Sequence, residues 1–473
     1  MWLDGRGWCV NYNVGVAVML EEPTALRIAD PGVRSLFTEA ARWQSWLDVE
    51  VALAEAEAEL GVIPNEAAAE IRRKAKLELL DRDAIVEGLR RTGHGLVPVI
   101  WELDRVCEGD AGGYVHWGAT TQNITQTGQL LQVRRAHYIF LDLLASALVT
   151  LADLADRSGT MLMAGRTHGQ HAVPSTFGLK AAVWIDELCR HIDRLRGCEE
   201  RVFVAMLGGA AGTLASLGEI GPAVQAKMAA RLGMKPMAVP ARTLGDHLAE
   251  YVTLLGLLAA TCSKIGRELY ELMKPEFGEV EEPVPPGTVG SSTMPQKRNP
   301  KLGQDIVAAA AEVRALVPLA LEAMQTEHEA DRATSLMMSR AITEACSHTG
   351  DILVRLPVLI GGMQLFPERM RHNLDLSGGL IMAEAVMFAL GKTLGRQRAH
   401  DVVYEAAQTA ATSGQKFRDL LLEDAAVRER LTPAEIDALL DPASYVGVAP
   451  VYARQGAVRA RAVAEGLRAA GDR

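Results

Sequence analysis

Pro283 to Pro300 reads Pro-Val-Pro-Pro-Gly-Thr-Val-Gly-Ser-Ser-Thr-Met-Pro-Gln-Lys-Arg-Asn-Pro. Proline and glycine this dense exclude a helix or a central strand. The stretch reads as a long loop, and long loops between helical runs are more often functional than decorative. It carries two adjacent hydroxyls (Ser291, Ser292), an ammonium (Lys297), a guanidinium (Arg298) and an amide (Asn299). Such a set can bind and polarise an anion. One hydroxyl can take a proton if its oxyanion is stabilised. Charge alone also allows a plainer reading of Lys297-Arg298, a solvated basic loop tip.

The elements that must hold this loop are helical. Ser35 to Leu60 has apolar residues at helical spacing (Leu36, Ala40, Trp43, Leu47, Val51), and Gly61 and Pro64 end it. Gln129 to Ser158 runs without proline or glycine. As one helix it would be ~45 Å long and would need partners along its whole length. Leu179 to Arg196, Glu250 to Met273 and Leu302 to Thr326 continue the pattern. Ile306 to Ala311 is apolar all round, as in a buried helix or a subunit interface. Thr432-Pro433-Ala434-Glu435 reads as a capping box. Period-2 alternation is rare, so the fold reads as mainly α. Besides the loop at 281–300, Gly112 to Asn123 and Gly208 to Gly212 read as loops, and the polar chemistry collects beside all three.

Composition bounds the function. The chain has 473 residues, 49 Lys plus Arg and 59 Asp plus Glu, a net charge of −10. Hydrophobic residues make 49% and charged residues 23%, the profile of a soluble folded protein with more than one domain. Net acidity argues against phosphate-backbone binding, and 5% aromatics supply few stacking platforms. The six cysteines form no C-x-x-C pair and no zinc spacing, and read as reduced, mostly buried thiols. The apolar stretch Val14 to Leu20 is too short to span a bilayer and lacks a small-residue cleavage site. Met19 is the expected start, with the preceding residues an over-extended or loose tail. A cytoplasmic enzyme or a helical scaffold remains.

Gly290 to Pro300, eleven consecutive residues, resembles the signature loop of the fumarase/aspartase superfamily. That superfamily includes adenylosuccinate lyase, argininosuccinate lyase and 3-carboxy-cis,cis-muconate cycloisomerase. Two further blocks match in the family's order. Gly165 to Gln170 resembles its Thr-His-x-Gln block, and Val115 to Gln122 resembles its His-x-Gly-x-Thr-Ser block. Thr92-Gly93-His94, Gly208 to Thr213 and Trp46 to Pro64 are weaker matches. Leu420 to Val446 resembles the tail domain of the adenylosuccinate lyase and carboxymuconate branch.

The resemblance implies an all-α fold of three helical domains. These are an N-terminal domain over 1–112 with 1–34 loose, a central bundle over 113–360 with the signature loop at 283–300, and a C-terminal domain over 361–473. The central bundle would form the core of a homotetramer whose active sites are shared between subunits. The implied reaction removes a proton α to a carboxylate and β to a leaving group, or runs in reverse. Stabilising the resulting dianion is an electrostatic task.

In the family the first serine of the loop is the general base, here Ser291, with Ser292 the alternative. His168 would be the general acid or would orient the leaving group. Lys297 and Asn299 would hold a substrate carboxylate, with Met294 beside them in the same loop. His116, Thr120, Thr121 and Gln170 would contact substrate, and His94 either contacts it or is a structural loop histidine. His171 shares a face with His168 if that segment is helical. No cofactor, no metal, no nucleic acid and no membrane is implied.

The chain also departs from the family. Adenylosuccinate lyases carry an Arg-Tyr pair near the N-terminus, where this chain reads Ala25 to Asp30 without it. Ala330 stands where an arginine of a later phosphate-binding stretch would fall. Asn123 and Gln126 stand where relatives commonly have Asp, a change that suits a polyanion. Trp117 and the Phe177 to Lys180 stretch lean towards the carboxymuconate branch. The favoured substrate is a small polycarboxylate handled as by 3-carboxy-cis,cis-muconate cycloisomerase. The alternatives are release of fumarate from a succinylated amine, an epimerase or lyase of an amino-dicarboxylate, and a non-catalytic scaffold.

Overall fold

The computed structural model describes residues 28–284 and 287–471. The expected start at Met19 and the first half of the Ala25 to Asp30 stretch lie outside them. The chain is built on long helices: α1 (Glu39–Glu59), α2 (Val97–Val106), α3 (Thr121–Arg157), α4 (Phe177–Val202), α5 (Gly221–Arg231), α6 (Asp246–Leu272), α7 (Lys301–Glu322), α8 (Arg332–Gly361), α9 (Ala383–Leu394), α10 (Arg396–Ser413) and α11 (Ala449–Gly471). Strands β1 (Leu162–Thr167) and β2 (Gln170–Thr176) form an antiparallel hairpin between α3 and α4. The mainly α expectation stands.

The long run expected from Gln129 begins eight residues earlier and passes straight through Gly128. The reason is packing. A Cβ on Gly128 would lie 2.7 Å from Cδ1 of Trp46, so the glycine marks the crossing of α1 over α3 and not an end. At 37 residues α3 is about 55 Å long. It is covered by α1, α4, α8 and α11. Leu144, Leu148, Leu151 and Ala155 on it are fully buried. Both α3 and α6 are long and apolar enough to cross a membrane by composition, yet over half of each apolar window is buried against other helices. Thr121 to Asn123, expected as loop, form the first turn of α3. Residues 162–176, where a helix would have put His168 and His171 on one face, form the hairpin.

The core does not follow the expected domain boundaries. One continuous apolar cluster runs from Val33 and α1 through the central helices to Ala457, Ala460 and Ala464 of α11. A separate small core joins α9 and α10 to Phe417, Leu421 and Ile436. The C-terminal stretch expected as one unit over 361–473 is thus divided, because α11 leaves the small core and lies along α3 and α4. Within the small unit Thr432 and Glu435 form the capping box as expected.

Two acids interrupt the apolar face of α1. Glu50 and Glu57 are 3% and 0% exposed, and neither oxygen of Glu57 has a hydrogen-bond partner. Burial, with the Glu50 carboxylate two turns away, pushes Glu57 up to about 8 from an ordinary 4.5. Glu57 is therefore protonated in the fold at neutral pH and ionised in the unfolded chain. Stability is lost as pH rises from 4.5 to about 8, and the loss is complete above that. Glu57→Gln, which mimics the protonated acid, should match the wild type at pH 4. At pH 8 it should be more stable by roughly 2 to 5 kcal/mol. Thermal melts of the two proteins across this range check it, and a gap that does not widen with pH would refute it.

Candidate active site

The side chains singled out in the sequence fall into three groups on three kinds of element. The first gathers at the N-terminus of α3. His94 Nδ1 accepts the backbone N–H groups of Leu96 (3.3 Å) and Val97 (3.2 Å), which caps α2. Its proton is then on Nε2, 3.3 Å from Thr121 Oγ1. His94 is thus both a structural cap and the neighbour of a site threonine. Thr120 is the N-cap of α3, and its N–H donates to Asn123 Oδ1 (3.0 Å). The unpaired N–H groups at this end of a 37-residue helix favour an anion.

His116 sits in the left-handed region at φ 65°, where a non-glycine residue is strained. Its Nδ1 lies 2.7 Å from Glu50 Oε1. Asn123 is wholly buried, and its Oδ1 also accepts from Gly209 N–H (3.1 Å), tying the Gly208 to Gly212 loop to α3. It therefore works through backbone and not in the pocket, contrary to the role expected for it. Gln126 does line a pocket.

That pocket, about 200 Å³, lies between α1, α3, α6 and α8. Gln122, Gln126, Gln129 and Gln132 line it from α3, with Arg42 and Arg242 opposite and Ser335 and Ser339 at the start of α8. Arg242 Nε donates to Gln122 Oε1 (3.0 Å) and Nη1 to the Ala210 carbonyl (2.7 Å). Gln122 Nε2 donates to Gln126 Oε1 (3.0 Å), which leaves Gln126 Nε2 as a buried donor without a partner. The lining holds two guanidinium groups and, among the described residues, no carboxylate.

The second group is the tip of the β1–β2 hairpin. Thr167 pairs with Gln170, so His168 and Gly169 are the two turn residues, at φ 53° and 75°. Two positive φ values are the pattern of the tight hairpin turn that favours Asn-Gly. Here a histidine takes the strained first position, and both His168 and Gln170 are exposed. His171 pairs with Arg166 across the strands. Burial, with the Arg166 charge beside it, holds His171 below the usual imidazole range. Arg166 forms two bonds to the buried Glu279 (2.6 and 3.1 Å), and Asn373 Nδ2 donates to the same carboxylate (2.7 Å). The hairpin is thereby fastened to the segment that leads into the signature loop.

The third group is that loop. Ser291 Oγ accepts the N–H groups of Thr293 (3.3 Å) and Met294 (3.0 Å), donors that would stabilise a serine oxyanion. A Cβ on Gly290 would lie 1.9 Å from the Lys297 carbonyl, so the loop closes on itself there. Asn299 Nδ2 donates to the Gly290 carbonyl and clasps the base of the loop, a use its expected role in carboxylate binding did not foresee. Arg298 is taken up by Glu281 (2.9 Å). Lys297 makes no ion pair among the described residues and is exposed, as is Met294. Glu282 is buried and accepts the N–H groups of Leu302 and Gly303 (3.1 Å each), capping α7. Burial holds its carboxyl above the usual range although these N–H groups pull it down.

Within the chain His94 and Thr121 are joined directly. No hydrogen bond or ion pair among the described residues joins the three groups to one another. Sequence reasoning missed Glu50, Arg242 and Gln122. A signal for Glu50 was present: an acid inside the apolar run Val49, Val51, Ala52, Leu53.

Known proteins resemble this chain over most of its length. Residues 25–314 match the family model described as Lyase, and residues 379–455 match that of the adenylosuccinate lyase C-terminus. The N-acetyl-S-(2-succino)cysteine lyase of Dickeya dadantii is 40% identical over 89% of this chain and 92% of its own. The 3-carboxy-cis,cis-muconate cycloisomerase of Pseudomonas aeruginosa is 40% identical over the same shares, 89% and 92%. The structure of a fumarate lyase from Mesorhizobium sp. BNC1 superposes with a TM-score of 0.85 at 35% identity, covering 91% of this chain and 98% of that one.

Gly290→Ala should leave the melting temperature within a few degrees of wild type, because the loop lies outside the core. It should lower kcat/KM by roughly a hundredfold, because the loop cannot close and Ser291 is displaced. Steady-state kinetics beside a thermal melt checks it; unimpaired turnover would show that the tight closure is dispensable.

Proposed function

The chain belongs to the lyase family of the fumarase/aspartase superfamily and is an enzyme of that superfamily, and from that premise we propose that it acts on a small polycarboxylate by general-base catalysis. The observation that carries this is the signature loop, where Ser291 Oγ already accepts two backbone N–H groups beside an unpaired Lys297. In an elimination Ser291 as oxyanion takes the proton α to a carboxylate; in the reverse addition the Ser291 hydroxyl gives the proton to that carbon. Lys297 and the N-terminus of α3 with Thr120, Thr121 and His116 hold the charge of the resulting dianion. His168 serves the leaving group or the attacking oxygen.

The preferred reaction is of the 3-carboxy-cis,cis-muconate cycloisomerase type, in which a carboxylate oxygen adds across a double bond and the carbon α to another carboxylate gains a proton. Trp117 and the absence of an arginine at Ala330 support it. A second reading is favoured by the glutamine-lined pocket. A cyclisation keeps its product in one piece, whereas an elimination must hold a second fragment. Gln126 Nε2 and the two guanidinium groups suit a fragment with its own carboxylate and amide, such as the one in N-acetyl-S-(2-succino)cysteine, on which the Dickeya relative acts by name.

The enzyme is a homotetramer with sites shared between subunits. In one chain His168 and the loop stand exposed to water, where a serine is too weak a base to act. Exposed Leu257, Leu321 and Val358 on α6, α7 and α8 supply apolar surface for such contacts. The compartment is the cytoplasm, as the five cysteines among the described residues are unpaired, four of them buried, which suits a reducing environment.

A panel of carboxymuconate, succinylated thiols and succinylated amines, followed in the ultraviolet, separates the reactions. Ser291→Ala should lower kcat on the active substrate by roughly a thousandfold or more. Activity on none of the panel would refute the substrate class. Mixing inactive Ser291→Ala with inactive His168→Ala subunits should restore a measurable part of the activity, and none would be restored if each chain forms its own site.

A further inference from the structure

Glu50 lies in the middle of α1, with its side chain 2% exposed. One oxygen, Oε1, is 2.7 Å from His116 Nδ1; the other, Oε2, is buried without a partner. A buried carboxylate with one partner is costly unless that partner carries a proton towards it. The Nδ1–H of His116 therefore points at Glu50, and the ring presents Nε2 away from α1. Among the described residues the ring has no other hydrogen bond. Its residue is in the strained left-handed region, and Gly118 two residues on is also left-handed, at φ 68°. The other acid on this face, Glu57, makes no hydrogen bond, so Glu50 is the carboxyl that meets the ring.

Resting on the polycarboxylate reading above, we infer that Glu50 is a positioning residue that fixes the tautomer and orientation of His116 and makes its Nε2 a donor to a substrate carboxylate. A neutral imidazole with its proton on Nδ1 meets an incoming carboxylate with a lone pair. The contact becomes attractive only when a proton joins Nε2. With Glu50 on one side and the substrate carboxylate on the other, each ring N–H then has an acceptor. Carboxylate binding thus takes a proton from the buffer onto Nε2, where a new N–H bond forms, and the result is a carboxylate–imidazolium–carboxylate row with no other bond made or broken.

The test uses the full-length protein and tricarballylate (propane-1,2,3-tricarboxylate), which has no leaving group. Titration calorimetry at pH 7.5 (a condition of about that value) in two buffers of different protonation heat counts protons taken up on binding. Wild type should take up a fraction approaching about one proton per site. Glu50→Gln, whose amide oxygen still accepts from Nδ1–H, should bind roughly ten- to a hundredfold more weakly and lose the uptake. Glu50→Asp, which keeps the charge, should recover part of both. On a turned-over substrate the Gln variant should raise KM far more than it lowers kcat. Equal affinity and equal proton uptake in wild type and Glu50→Gln would overturn the inference.

A measurement without ligand separates this from the substrate reading. Diethylpyrocarbonate acylates neutral imidazole nitrogen, and the His116 side chain is 19% exposed. Peptide mapping near pH 6.5 (roughly the free imidazole value) should show His116 labelled several-fold faster in Glu50→Gln. A labelling difference with no polycarboxylate bound by either protein sinks the proposed substrate class and leaves the Glu50 assignment standing. Identical labelling sinks the Glu50 assignment whatever the probe does.

Discussion

The structure depends on covering α3. A helix of 37 residues with apolar side chains on several faces is stable only if other helices lie along nearly all of it. That requirement recruits α1, α4, α8 and α11, elements far apart in the sequence. Because they are fixed by packing, the end of α3 is fixed too. Thr120, Thr121 and the unpaired N–H groups there are held by the same contacts that fill the core. Asn123 completes the arrangement by holding that end to the Gly208 to Gly212 loop through one oxygen.

Strain and charge are concentrated against this rigid frame. Among the described residues, three of the four non-glycine residues with positive φ are histidines: His116, His168 and His328. Each lies in a block whose sequence suggested chemistry or ligand binding. A side chain in an unfavourable backbone state persists only where its surroundings over-determine it. The Glu50 bond and the hairpin register do this for His116 and His168. Charge follows the same logic. The molecule carries −10 overall, yet Arg42, Arg242 and Lys297 make no ion pair among the described residues. An acidic protein thus keeps local cations uncompensated beside the candidate site.

What was legible in the sequence followed from local chemistry. The loop at 283–300 was plain because proline and glycine admit nothing else, and the capping box at Thr432 because it needs only four residues. The helix boundary at Gly128 was misplaced because the reason for that glycine is Trp46, some eighty positions away. The hairpin at 162–176 was unseen because Gly165, His168 and Pro174 break any period. Asn299 was read as a ligand contact and Asn123 as an absent negative charge; their bonds to backbone groups of their own surroundings went unforeseen. Glu50 went unnoticed because its partner comes from another block altogether. Residue types announce a site; the second partner of each polar atom is a property of the fold.

The last helix has a consequence of timing. Ala449, Ala453, Ala457, Ala460 and Ala464 form a buried seam on α11, small enough for the helix to sit close against α3 and α4. Gly456 meets Ala182 there with no room to spare. Ala457, Ala460 and Ala464 of this seam belong to the main core, and they are made some three hundred positions after α3. Until they are made, one flank of α3 has no cover. The nascent chain must wait with that flank bare, so the cover of the long helix that orders everything else is completed only once α11 has been made.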